Sequence, residues 1–340
     1  MSKPQPPRNP SRNPARDTSR SSAGSRASTA RSGPPAQPPT VSLAWLVTML
    51  GSSAIGALVL AWLALCLLFW QGSWQLLYHP TSKLSRTPAA AGLAFEPVGL
   101  ATTEAGVPRL SGWWIPAAPG SPFARITALY LHGATGNLSN TVDDLQRLHA
   151  AGLTVLAIDY RGYGQSEFVH PSQARFLEDA HWALQYLTGT RHAAPNTILL
   201  VGQGLGADLA VQVAASHPNL AGVVLENPVP NPTSAIFSDR RARMVPAHWL
   251  VSDRWDLKAV AAQMQTPALW LETTLGPGQL PLPGRPAAFQ QIPGPKSFVW
   301  MVSSANADKD FVRILDAWLR DPANQSRKQP ACQLSDGGRC

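Results

Sequence analysis

Apolar and polar positions follow two different regimes along the chain. From Ser32 to Ser82 there is no Lys, Arg, Asp or Glu, and residues 43–70, LAWLVTMLGSSAIGALVLAWLALCLLFW, are mainly apolar on every helical face. About 20 residues at ~1.5 Å each span a bilayer core, so this stretch is long enough to cross with some tilt. Trp70, Trp74 and Tyr78 follow at helical spacing and suit an aromatic belt at the exit interface. A secretory signal peptide is the competing reading. The basic region ahead is unusually long for one, and no small-residue cleavage site follows Trp70, which favours an uncleaved anchor.

Beyond residue 70 short apolar runs alternate with longer helical patterns. Residues 110–116, 126–132, 153–160, 197–201, 221–227, 266–273 and 297–303 read as strands, several of them continuous apolar runs. Residues 140–152 read as a helix, and a second begins near Pro171, with Phe176, Ala180, Ala183, Leu184 and Leu187 on one face. Further helices are predicted from about Leu205 to Ser216 and from about Asp308 to Leu319. This alternation implies a mostly parallel sheet covered on both faces, with ligands at the carboxyl ends of its strands. Residues 230–262, with Arg240, Arg241, Arg243 and Trp249, interrupt the alternation. They form either a cap over the site or a plain helical excursion.

Charge changes the picture at one end only. The net charge is +8, but residues 1–42 hold seven basic side chains against Asp17 alone, leaving the remainder close to neutral. A nucleic-acid-binding domain carries its positive charge on a folded face, and this chain does not. The Pro-, Ser- and Arg-rich tail has too few large apolar residues to fold, and suits a membrane-proximal cytoplasmic segment. The Arg-rich side stays in the cytoplasm, which places the main domain beyond the membrane. The expected organisation is a tail (1–42), a transmembrane helix (43–70), one large domain (71–321) and a polar C-terminal tail (322–340). The composition suits a cell inner membrane with a periplasmic domain, and an endoplasmic-reticulum anchor is the alternative. Cys66 falls inside the anchor, while Cys332 and Cys340 pair in an oxidising compartment or remain free thiols. No His/Cys/Asp/Glu set has metal-ligand spacing, and no cofactor is called for.

Three Gly-rich loops carry the candidate chemistry: LYLHGATGNLSN (129–140), AIDYRGYGQSE (157–167) and VGQGLGA (201–207). Each alone is weak, but each stands at the carboxyl end of a predicted strand, in that order. Taken with Tyr78-His79-Pro80, GWWIP (112–116), His132-Gly133, Gly136-Asn137 and Asp159 to Gly164, they make the chain resemble the membrane-anchored α/β-hydrolase-domain proteins. These are relatives of the prolyl-oligopeptidase-like and dienelactone-hydrolase-like serine hydrolases, and the resemblance covers roughly residues 70–320. It implies an α/β fold with an eight-stranded, mostly parallel sheet and helices on both faces, preceded by one transmembrane helix. It also implies ester, thioester or amide hydrolysis by Ser, Asp and His.

The family's Gly-x-Ser-x-Gly elbow reads here Gly202-Gln203-Gly204-Leu205-Gly206. Gly204 has no atom able to attack a carbonyl. The resemblance places oxyanion-hole donors on the backbone, at Leu205 and in the Gly133-Ala134 loop. It places the acid near Gly276, yet no Asp occurs from Gln265 to Pro295, and the base near Asn306, yet no histidine follows His248. Among substitutes, His217 lies about 20 Å along the elbow helix at ~1.5 Å per residue, and His248 belongs to the predicted cap. Glu226 reads as a polar side chain ending its strand, with an alternative acid as the other reading. The expectation is a pseudo-hydrolase that binds a small-molecule or protein ligand without turnover. An active hydrolase with relocated groups, such as a cap Ser with His248, is the alternative, and a structural envelope protein with a filled pocket is a third reading.

Overall fold

The computed structural model describes residues 40–274 and 284–325. The basic tail, Gly276, Cys332 and Cys340 lie outside them. The chain divides into two units, Met1–Gly56 and Ala57–Cys340. What is described of the first is the exposed beginning of helix α1 (Leu43–Gly72). Its apolar stretch reaches a mean hydropathy of 2.3, long and apolar enough to cross a membrane.

The second unit is built on eight strands: β1 Glu96–Leu100, β2 Leu110–Ile115, β3 Thr127–Leu131, β4 Thr154–Ile158, β5 Ile198–Gln203, β6 Gly222–Glu226, β7 Ala268–Thr274 and β8 Lys296–Val302. Their order across the sheet is β8-β7-β6-β5-β3-β4-β2-β1. Strands β3 to β8 are parallel to one another, while β2 runs antiparallel to both β1 and β4. The chain leaves β3 for β4 on one side and returns to β5 on the other. That reversal opens a crevice at the strands' carboxyl ends, where such sheets bind ligands.

Every residue of β3, β4 and β6 is buried, which is why these strands are unbroken apolar runs rather than alternating ones. The pleat sends alternate side chains to two cores. Leu129, Leu131, Val223 and Leu225 meet helices α3 (Gln173–Gln185) and α4 (Leu205–Ser216) on one face. Ala128, Tyr130, Leu199, Val201 and Val224 belong to the other core. There α2 (Val142–Ala150) and α5 (Ala307–Arg320) cover them through Leu145, Leu148, Phe311 and Leu315.

Two departures from the sequence reading have physical reasons. Strand β1 escapes prediction because Pro97 and Gly99 interrupt it and only Val98 and Leu100 turn inward, as suits an antiparallel edge. Helix α1 ends two residues later than predicted, at Gly72, and passes through a 3₁₀ turn, Ser73–Leu76. That turn breaks the helical spacing, so Tyr78 is not part of an interface belt. It is buried, its hydroxyl donating to Asp253 (2.5 Å) and accepting from the Trp255 indole (3.0 Å). Beyond α5, a short helix at Pro322–Gln325 follows directly, and buried Asn324 donates to the Trp318 carbonyl at 3.1 Å. Residues 230–262 hold three short helical turns, at 234–237, 240–243 and 247–250, then a helix at Leu257–Ala261.

Candidate active site

The turn between β5 and α4 is the sharpest feature at the carboxyl edge. Gly204 stands between them with φ +56° and ψ −121°, its N–H donating to the Glu226 carbonyl (2.8 Å). The three glycines here answer to different constraints. A Cβ on Gly202 would lie 2.2 Å from the Gly206 oxygen, and one on Gly206 would lie 2.0 Å from the Leu131 oxygen. Packing therefore demands glycine at both. A Cβ on Gly204 would meet nothing within 4 Å. Its glycine answers only to the positive φ, which a side-chain-bearing residue adopts at a cost.

The exit of β3 presses against this elbow. Gly206 packs on the Leu131 and His132 carbonyls, and a Cβ on Gly133 would touch the Gln203 carbonyl at 3.4 Å. The first two Gly-rich loops are then joined by polar contacts. The Tyr160 hydroxyl donates to the His132 carbonyl (3.1 Å), and the Tyr163 hydroxyl donates to that of Ala134 (2.7 Å). Asp159 accepts from the Leu138 N–H at 2.9 Å. Burial pushes both phenols far above their ordinary range, so they act here as neutral donors. Among the described residues, neither the Leu205 N–H nor the Ala134 N–H has an acceptor.

One histidine does meet an aspartate here. The His132 Nε2 lies 3.5 Å from Asp159 Oδ1, within ion-pair reach but without hydrogen-bond alignment, and Nδ1 is 2.7 Å from the Gly133 carbonyl. The ring is buried between Tyr160 and Tyr163. Enclosed in this way, the pair fastens two loops and offers no proton to a ligand.

The other positions marked from sequence are scattered. Asn306 is exposed and precedes the first turn of α5, where Asp308 and Asp310 stand. His217 caps the far end of α4, its Nδ1 2.9 Å from the Val213 carbonyl. His248 is exposed in the 247–250 turn and stacks on Phe237 at 4.3 Å.

Glu226 is more than the strand-end polar group that its sequence position suggests. It is buried and receives Arg147 Nη2 at 2.6 Å, and the same nitrogen reaches Asp144 at 2.7 Å. Tyr130 donates to Asp144 (2.9 Å) beneath them. Burial raises the Glu226 carboxyl to about 7 against the pull of Arg147, with Asp144 and Asp308 adding to the rise. The cluster floors a polar cavity of about 410 Å³ along the ends of β5 to β8, which Gln203, Asn227, Thr273 and Ser303 also line. Residues 79 positions apart meet there.

Two further buried charges have no counterpart in the sequence reading. Arg161 sits in what reads as a solvated turn, yet its Nε donates to the buried Asp179 at 2.6 Å and its guanidinium lies over Trp182 at 4.5 Å. Asp208, in the first turn of α4, is fully buried with one bond, from the Val229 N–H (3.2 Å), and its Oδ2 has no partner. Burial raises its carboxyl to about 8. A lone acid in an apolar helix, LGADLAVQVAAS, is the one signal the sequence offers for it.

Comparison with known proteins agrees with this architecture. The serine aminopeptidase S33 family matches residues 124–270. An esterase of Pyrococcus furiosus superposes with a TM-score of 0.52 at 19% identity, covering 72% of this chain and 97% of that one. The chain has the α/β-hydrolase fold. An uncharacterized protein of Mycobacterium tuberculosis is 33% identical to this hydrolase-fold chain over 178 residues, which is 52% of this chain and 59% of the relative. The YfhR protein of Salmonella typhi is 28% identical over 213 residues, 58% of this chain and 68% of the relative. The alignment thus spans little more than half of the mycobacterial relative's length. The α/β-hydrolase resemblance drawn from the three loops holds at the level of the fold.

Proposed function

We propose that this α/β-hydrolase domain binds a ligand or a protein partner at the carboxyl edge of its sheet without turning it over. The observation that carries the reading is Gly204. The elbow residue faces open space, yet bears neither oxygen nor sulfur. No histidine follows His248 in this sequence, and the one buried His–Asp pair among the described residues is sealed between tyrosines. What remains is a binding frame. The Leu205 and Ala134 N–H groups are free to hold a carbonyl or carboxylate oxygen, the role that backbone donors play at an oxyanion hole. Gly133, Gly202, Gln203 and Gly206 shape the turn around them.

In the same reading α1 is a single-pass anchor. Its length and apolarity support this, as does the basic tail, which favours a cytoplasmic N-terminus and an extracytoplasmic domain. Protease protection in sealed inner-membrane vesicles reads the orientation.

The test is a pair of measurements on the full chain. Thermal shift against fatty acids, acyl esters and peptides is expected to find a stabilising ligand. Turnover of short acyl p-nitrophenyl esters is expected to stay at background in wild type and in His248→Ala alike. Turnover that His248→Ala abolishes would replace this reading with that of an active hydrolase. A screen with no stabilising ligand would favour a purely structural protein.

A further inference from the structure

Three exposed large side chains of the second unit lie at, or within two residues of, positions that pack against α1 or the turn that follows it. Trp249 is 89% exposed, Phe168 87% and Met244 53%. A cavity of about 380 Å³ lies between α1 and the 230–262 segment, lined by Trp70, Trp74, His170, Arg175, Ile236 and Leu250. Trp74 stacks on His170 at 4.8 Å, and the Trp62 indole donates to the Met244 carbonyl at 3.0 Å. Phe168 is two residues from His170, and Trp249 adjoins Leu250, so both belong to the segments that line this cavity. Exposed apolar groups clustered in this way mark an interaction surface rather than the ordinary scatter of a soluble domain.

The level of this face along α1 identifies what covers it. The residues of α1 that precede Trp62 run from 43 to 61, about 28 Å of helix at ~1.5 Å per residue, which is the thickness of a bilayer's hydrocarbon core. Counted from Leu43, a core of that thickness ends at Trp62, short of the 43–70 span read from the sequence, and Met244 is bonded to the helix at that level. The charge fits as well. Arg241 is neutralised by Asp239 at 2.8 Å, whereas Arg240 and Arg243 are exposed and form no ion pair among the described residues. Arg254 spends its guanidinium on the Val251, Asp253 and His248 carbonyls and has no carboxylate partner there either.

We propose that residues 240–254, together with Phe168, dock on the anionic lipid surface of the bilayer that holds α1. Trp249, Phe168 and Met244 enter the interface, while Arg240 and Arg243 meet the phosphates. Trp has an amphipathic ring suited to that depth, and each Arg near an anionic surface gains attraction that salt screens. This rests on α1 being a membrane anchor. Docking would hold the domain with its 230–262 segment against the membrane rather than leave it to swing on a tether.

The experiment uses the full chain in a Cys66→Ala, Cys332→Ser, Cys340→Ser background, with an environment-sensitive fluorophore on Ser252→Cys. Asn219→Cys, exposed in the turn before β6, is the control. Vesicles contain phosphatidylcholine alone or with phosphatidylglycerol. The expected result is blue-shifted emission at position 252, quenched by nitroxides on the lipid chains, in anionic vesicles only and never at position 219. Trp249→Ala abolishes it, and Arg240→Ala and Arg243→Ala each lower the docked-to-undocked ratio about fivefold. Aqueous emission at 252 in anionic vesicles overturns the proposal. So does a blue shift without nitroxide quenching, which signals a protein partner or a second copy. Flotation after alkaline carbonate separates the two claims. A chain that does not float removes the anchor and the docking with it, whereas a floating chain with an aqueous label removes the docking alone.

Discussion

The two halves of the sheet's carboxyl edge differ in what holds them. At the exits of β3 and β4, His132, Asp159, Tyr160, Tyr163 and Asn137 are all buried, and the Asn137 amide nitrogen alone lies within 3.0 Å of three acceptors, the Thr81 and Lys83 carbonyls and the Thr81 hydroxyl. At the exit of β8, Ser303 to Asn306 are exposed. The family's elbow lies between, with Gly202 and Gly206 fixed by contact and Gly204 touching nothing a side chain would disturb. The difference is instructive. Groups that shape the first two loops also pack, so the fold requires them. A nucleophile, acid or base faces a cleft and contributes little to packing, so its loss leaves the scaffold intact.

The largest expected effect falls on the packed side. Arg161→Ala strips the buried Asp179 of its guanidinium, leaving it the residue-161 N–H (2.8 Å), and should cost about 3 kcal/mol, seen as a fall in the denaturation midpoint. A shift below about 1 kcal/mol would mean that the turn is held by Trp182 and the backbone alone. At the elbow, Gly206→Ala drives a Cβ into the Leu131 carbonyl and should cost about 3 kcal/mol or more. Gly204→Ala costs only the strain of its positive φ, about 1–3 kcal/mol. Equal losses would erase the distinction between contact and conformation drawn here.

Asp208 gives the comparison a pH dependence. Its carboxyl is raised by burial from 3.8 to about 8, so the folded chain holds a proton that the unfolded chain has released. That contribution is fully present below about pH 4 and is lost as pH rises through about 8. Asp179, raised to about 6, and Glu226, raised to about 7, act in the same direction over lower windows. Asp208→Asn should flatten the stability profile between about pH 4 and 8 and raise it at the alkaline end. An unchanged profile would show that Oδ2 finds water. On the open side, Asn306→Ala should change stability by less than about 0.5 kcal/mol.

Much of this is legible in the sequence because burial on both faces writes itself as unbroken apolar runs. Strands β3 to β8, the span of α4 and the elbow all follow from that pattern and from glycine spacing. What stays hidden depends on partners distant in the chain. Arg147 in its helix and Glu226 at its strand end carry no local sign of one another until the sheet brings them together, and Asp179 does not announce that it lies under Arg161. Tyr78 falls out of the expected belt because the 3₁₀ turn at Ser73–Leu76 changes the spacing without leaving a local signal. Strand β1 has Pro and Gly where a strand pattern needs side chains.

The central claim, that the cleft retains its frame and has lost its reactive atoms, is tested most directly by a fluorophosphonate probe. The full chain and its Gly204→Ser variant are incubated with it and their intact masses measured. The account predicts no adduct on the wild type and no ester turnover by Gly204→Ser, because acid and base would still be missing. A stoichiometric adduct on the wild-type chain, mapped to any residue beside the elbow, would contradict it.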